Sequence, residues 1–300
     1  MGGGGGDATQ ALAMRAASGY SPGAREAVMV RVGVVWDRTV AFLGDRIGTL
    51  LPIALATLVL PGALSSVLQP IRATAGNGAS GAIGLVVLAS GLVSLWGQLA
   101  VTALVLDQAG GGAALRHGGR RLPAMLGVAL VLLIAVLLAT APLSWLAMVA
   151  SGARMDMEGV RMAMSGGRRG TLALLAIIYA VLGLWIGARL SVLMPVVVEE
   201  RLGLRAIPRA YALTRGLGLK LVGVILLYGA VLSIVSYAAQ TVFGSVMLLV
   251  AGGEGTVTVA SVVTALLVSC VTAAFSVLAC VFLALLYRAV RVSREGGPWA

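Results

Sequence analysis

Arg189 interrupts an otherwise uncharged apolar run from Gly170 to Val198. A cation at the centre of a membrane helix costs on the order of 3 kcal/mol on insertion scales, so such residues are candidates for function. Two readings stay open. In one, Arg189 lies near a helix end and snorkels to headgroups or pairs with a nearby carboxylate. In the other, Arg189, Asp107 and Glu199 form an intramembrane ion pair that ties the second span to the fourth, or Arg189 holds an anionic headgroup. Further along, Arg201, Arg205 and Arg209 recur four residues apart and Arg215 follows. These four are candidate lipid-headgroup contacts, because each basic residue near an anionic membrane surface contributes about 1 kcal/mol of attraction.

Other chemistry is hard to find. The chain has no H-E-x-x-H, no G-x-x-x-x-G-K, no G-x-S-x-G and no carboxylate pair inside a span. Glu199-Glu200 stands at a helix end beside Arg201 and Arg205, where charge pairing explains it more simply than catalysis. His117 is the only histidine and sits in a Gly- and Arg-rich stretch, so it reads as solvated or at the headgroups, with no metal. Cys270 and Cys280 are ten apart, off a common helix face, and read as small packing residues. The expectation is a non-enzyme without cofactor. The net charge of +11 would suggest nucleic acid in a soluble protein, but here the arginines flank apolar runs, so nucleic acid is not expected as a partner.

Those apolar runs decide the fold class. Ile47–Ile71, Ala73–Leu106, Leu122–Ala153, Leu221–Gly253 and Gly255–Tyr287 carry no charge, and Gly170–Val198 carries only Arg189. A hydrocarbon core of about 30 Å needs about 20 apolar residues of helix. Hydrophobic residues make up 59% and charged residues 11%, against about 25% charged in soluble domains. The chain is therefore expected to be all-α, a polytopic integral membrane protein with six transmembrane helices. The bounds are a Gly-rich tail at 1–23 without a secretory signal, an amphipathic interfacial helix at 24–46, a six-helix domain at 47–291 and a tail at 292–300.

Sixteen Lys and Arg fall on the side of the termini and five on the other. The positive-inside rule puts both termini in the cytoplasm. The four arginines between spans three and four, Arg154, Arg161, Arg168 and Arg169, weigh against it. On the basic side, Val28, Val32, Val35, Trp36, Thr39 and Phe42 make one apolar helical face, and Ile207, Ala210, Tyr211 and Thr214 make another. Gly110–Arg121 is a weaker third. Such helices lie at an interface, with arginines at the phosphates. Each precedes two spans, which suggests a threefold hairpin repeat. Gln98-Leu99 before Asp107 echoes Arg189-Leu190 before Glu199.

Within the spans, Gly183 and Gly187 form a G-x-x-x-G expected to pack inside the bundle. Pro61-Gly62 is expected to break the first span. Pro142 and Pro195 read as ordinary membrane-helix prolines rather than the broken helices of a substrate site. Ser233, Ser236, Tyr237 and Gln240 give span five a polar side, and Ser269, Thr272 and Ser276 do so for span six, suited to bonds across helices.

The stretch from Ala188 through Arg189-Leu190, Pro195, Glu199, Gly203 and Leu213-Thr214-Arg215-Gly216 resembles the glycerophosphoryl diester phosphodiesterase membrane domain family. Val28 to Pro52, ending Leu50-Leu51-Pro52, resembles that family's first amphipathic helix, and the likeness is compatible with Val28 to Arg291. The family's hydrolase is a separate barrel with metal-binding histidines and carboxylates, which this chain lacks. The resemblance therefore implies a stand-alone six-span module without phosphodiesterase activity. The expected function is a non-catalytic bacterial inner-membrane protein, lipid-associated or scaffolding, with anionic headgroups and a further membrane or cytoplasmic protein as partners. The rival is a small-solute or lipid transporter with an internal anion site at Arg189.

Overall fold

A computed structural model describes residues 32–107, 110–151, 166–200, 203–214, 218–251 and 258–295. The expected tail at 1–23, the start of the first amphipathic helix, Arg154, Arg161, Arg201, Arg215 and residues 296–300 lie outside the described residues, as do the side chains of Asp107, Arg168 and Arg169. The described chain is helical throughout, apart from turns: α1 Val32–Ala54, a π turn Leu55–Val59, α2 Leu60–Thr74, α3 Asn77–Asp107, α4 Gly111–Ser151, α5 Gly166–Leu190, α6 Leu193–Glu200, a 3₁₀ turn Gly203–Arg205, α7 Ala206–Leu213, α8 Gly218–Ala251 and α9 Val259–Glu295. Among the described residues, six segments are long and apolar enough to cross a membrane.

The first amphipathic segment is continuous with the first span. Its inward face is Val35, Thr39, Phe42, Leu50 and Ile53, the helical spacing the sequence shows. At one end Trp36 packs on Phe282 of α9, with ring centroids 6.5 Å apart. At the other, Leu50 and Ile53 join the cluster holding Cys280, Val281 and Ala284. Farther on, a Cβ on Gly62 would lie 3.3 Å from Ser269 Oγ, so the first span follows α9 antiparallel from Phe282 towards Ser269. Pro52 and the π turn lie along this contact, and such features bend helices. Pro61 follows directly, inside a run of helix that continues from α1 through the π turn into α2, so Pro61-Gly62 does not break the first span as expected; the π turn just before it absorbs the missing N–H.

The second basic segment takes a different form. Gly110–Arg121 is expected as a separate interfacial piece, but Gly111 onward is the opening of α4. It packs antiparallel on the end of α3. A Cβ at Gly118 would lie 2.8 Å from the Ala100 backbone nitrogen and 3.0 Å from its Cα, so only glycine allows this approach. The Trp96 indole N–H donates to the Leu115 carbonyl at 2.9 Å across the same seam. Likewise a Cβ at Gly97 would overlap Thr57 of the π turn, 2.0 Å from its Oγ1. The third basic segment is the separate two-turn helix α7. The three segments share a place in the order of elements but not a form.

The best-buried residues gather towards one end. Leu99–Val105, Val196–Val198, Ala206, Ala210, Val281, Ala284 and Tyr287 are closed off from solvent. We call this the basic end. The opposite halves of α4, α5 and α8 expose leucine, isoleucine and valine. Gly183 and Gly187 lie on that exposed surface with nothing within 4 Å of a built Cβ, so the G-x-x-x-G does not pack inside the bundle as expected. Ser233, Tyr237 and Gln240 are exposed as well. The hydroxyls of Thr272 and Ser276 donate to carbonyls of their own helix, Val268 and Thr272, rather than across helices.

Candidate functional site

The fourth span is broken. Helix α5 stops at Leu190 and α6 starts at Leu193, two residues before Pro195. Proline has no N–H, so the Ser191 carbonyl loses its donor four residues on. The carbonyls just before the break take side-chain donors. Ser191 Oγ donates to the Ala188 carbonyl at 2.8 Å, and Thr214 Oγ1 stands 3.0 Å from the Arg189 carbonyl and 3.0 Å from that of Ala210. Thr214 is fully buried, and its one hydroxyl proton is shared between these acceptors. Pro195 thus accompanies a two-residue interruption, at Ser191 and Val192, within one span.

On one side of the break lies Arg189. Its guanidinium carbon sits 4.5 Å from the centroid of Trp185, one turn earlier, and 4.7 Å from that of Tyr211 on α7. The two rings meet edge to face, with centroids 6.3 Å apart. Arginine stacks favourably on aromatic faces. Nε is buried without an acceptor. A Cβ on Gly218, where α8 begins, would come within 3.4 Å of that Nε and 3.5 Å of Nη2. Among the described residues, no carboxylate lies within ion-pair distance of Arg189.

The expected intramembrane pair therefore divides. Glu199 pairs with Arg291 of α9, not with Arg189. Ten residues separate Arg189 from Glu199, about 15 Å of helix rise, so the two side chains do not meet. Glu200 is more deeply placed, with 13% of its side chain exposed. It accepts from Arg209 Nε at 2.9 Å and from the Tyr287 hydroxyl at 2.8 Å. This joins the fourth span, α7 and the last span through one carboxylate. Of the four candidate headgroup arginines, Arg205 is exposed, Arg209 is engaged by Glu200, and Arg201 and Arg215 lie outside the described residues.

On the other side of the break is a cavity of about 300 Å³. Its polar lining is Gln98, Thr102, Ser191, Tyr228, Ser276 and the buried Cys280, and the rest is apolar. Leu190 and Ser191 reach it, but Arg189 does not, and no charged side chain lines it.

Tyr287, Thr214, Trp185 and Gln98 carry roles that sequence reasoning did not assign. The signal for Gln98 was present as a carboxamide inside an uncharged run. The signal for Trp185 was its place one turn before Arg189. Nothing in the order of residues announces that Tyr287 meets Glu200. Comparison of the chain with protein-family models, with curated proteins and with solved structures finds no match in any of the three.

Proposed function

We propose that the chain is a non-catalytic, multi-pass protein of the bacterial cytoplasmic membrane that holds anionic lipid headgroups at its basic end, with both termini in the cytoplasm. The observation that carries this reading is the state of Arg189: stacked on Trp185 and Tyr211, with no carboxylate within ion-pair distance among the described residues. An aromatic stack fixes the cation but does not neutralise it. The guanidinium also lies against the first residue of α8. A cation beside the positive end of a helix is unfavourable unless an anion joins the two. A phosphate at the interface supplies that anion. Exposed Arg205 adds long-range attraction, and the arginine asymmetry favours the cytoplasmic leaflet. The resemblance to the phosphodiesterase membrane domain agrees with a lipid-linked module, which leaves room for a protein partner.

The transporter reading, with an anion bound at Arg189 in an internal cavity, has less support, because the cavity wall excludes Arg189 and every other charge. The test is native mass spectrometry of the full chain with phosphatidylglycerol. Arg189→Gln is expected to reduce bound lipid about tenfold, as for one charge-assisted hydrogen bond. Arg205→Gln is expected to reduce it about fivefold. Unchanged binding in the double variant would refute the proposal.

A further inference from the structure

We infer that the cavity at the helix break binds a neutral, hydroxyl-bearing amphiphile, a lipid with an uncharged polar head, at a site separate from Arg189. Its volume of about 300 Å³ is at the lower end for ligand sites, roughly 300–1,000 Å³, and such sites combine apolar walls with a few convergent polar groups. A charged head is disfavoured, because nothing on the wall would neutralise it.

The hydrogen-bonding pattern sets the class more closely. Thr102 Oγ1 donates to the Gln98 carbonyl at 2.8 Å, Ser191 Oγ to Ala188, Ser276 Oγ to Thr272 and the Tyr228 hydroxyl to Phe275 at 2.9 Å. Each spends its proton on backbone and keeps acceptor lone pairs. The Ser191 carbonyl, robbed of its donor by Pro195, is a further acceptor. The wall is thus short of strong donors: the Cys280 thiol is a weak one beside Thr102, and the Gln98 carboxamide makes no hydrogen bond to any described residue. A ligand that complements it must donate several hydrogen bonds and accept from Gln98, as a hydroxylated head does.

The access route supports an amphiphile over a water-soluble solute. Met125, Leu190 and Tyr228 line the cavity, and the exposed apolar halves of α4 and α8 begin within two turns of Met125 and Tyr228. The cavity therefore adjoins both helices at the level where their lipid-facing apolar surfaces begin. An acyl chain can lie along those surfaces while the head reaches Gln98.

The test uses the full chain in nanodiscs with a diazirine-bearing monoacylglycerol, and crosslinked peptides are mapped by mass spectrometry. Labelling is expected to concentrate on residues 98–102, 190–195 and 276–283, above that on the exposed stretch 133–138. Gln98→Leu should cut it roughly fivefold to tenfold, the effect of one lost hydrogen bond, with labelling of 133–138 unchanged. Ala279→Phe, which fills the cavity, should remove it, and Arg189→Gln should leave it intact. The inference is overturned if labelling is no greater there than at 133–138. It is overturned too if both cavity variants label like the wild type, or if a hydroxyl-free diazirine hydrocarbon labels the same residues as strongly. Equal labelling by a diazirine phosphatidylglycerol would overturn the assignment of a neutral head.

Discussion

The basic end of the bundle and its opposite half draw on the same apolar residue classes but use them differently. At the basic end the contacts run through small residues. Ala100, Ala103, Ala114, Gly118, Ala188, Ala206, Ala210 and Ala284 are buried, most of them completely. Small side chains let backbones approach, and dispersion then holds helices together where lipid removes the hydrophobic drive. Both carboxylates of the fourth span are paired there across elements, Glu199 with Arg291 and Glu200 with Arg209. In the opposite half, Leu130, Val131, Leu133, Ile134, Val136, Leu137 and Leu138 are all exposed. Leu132 in the same stretch still packs on the core cluster, so this part of α4 keeps a protein neighbour on one face and turns its other faces outward. Fixed structure in this protein is concentrated where small residues and paired charges coincide, and the cavity lies where that packing ends.

The sharpest way to break the contrast is Glu200→Ala. It leaves the Tyr287 hydroxyl and Arg209 without their shared acceptor. Removing one partner from a buried charged pair costs about 3–5 kcal/mol, and Arg209 is 35% exposed, so the lower figure applies. Thermal unfolding in detergent should show the largest loss of this set. Tyr287→Phe should lose less, about 1 kcal/mol, because it removes only the neutral donor. A Glu200→Ala protein as stable as the wild type would mean that the basic end is not held by this carboxylate.

Next in size is Gly118→Val. The Ala100 backbone occupies the place of the added atoms, and backbone cannot yield as a side chain can. Overpacking of this kind costs about 1–3 kcal/mol. The α3–α4 seam should loosen, and the Trp96 indole bond to Leu115 should weaken with it, visible as a shift in tryptophan emission. Unaltered emission and stability would show that the close approach is not maintained.

The existence of six spans was legible because lipid imposes length and the absence of charge, and both are local properties of sequence. The inward face of the first amphipathic helix was legible for the same reason, since Val35, Thr39 and Phe42 follow the helical period. Partners were not. The Arg189, Asp107 and Glu199 grouping assumed that charges at similar depth meet. Which face a charge occupies depends on the break at Ser191 and Val192, and no periodicity marks that break beyond Pro195. The G-x-x-x-G failed on the same ground: its spacing permits close packing but does not supply a neighbour. The cavity was the least legible, because its wall is gathered from six helices, with a single residue each from α4, α5 and α8.

The smallest effect is expected from Leu137→Ala. Leu137 is 58% exposed, against none for Leu104 at the basic end. A buried leucine truncated to alanine costs about 2–5 kcal/mol because a cavity remains. Where lipid fills the space, neither the cavity nor the transfer loss arises, and the change should stay within about 0.5 kcal/mol. Leu104→Ala in the same detergent provides the internal scale. The pair also sharpens the picture of how the splayed half exists in a bilayer. If Leu137→Ala destabilises the protein as much as Leu104→Ala, then α4 packs on something as tightly as the basic end packs on itself. In that case the shift in unfolding temperature should depend on protein concentration, as it does whenever a second copy stabilises the fold. A small, concentration-independent shift means that acyl chains are the neighbours of this helix.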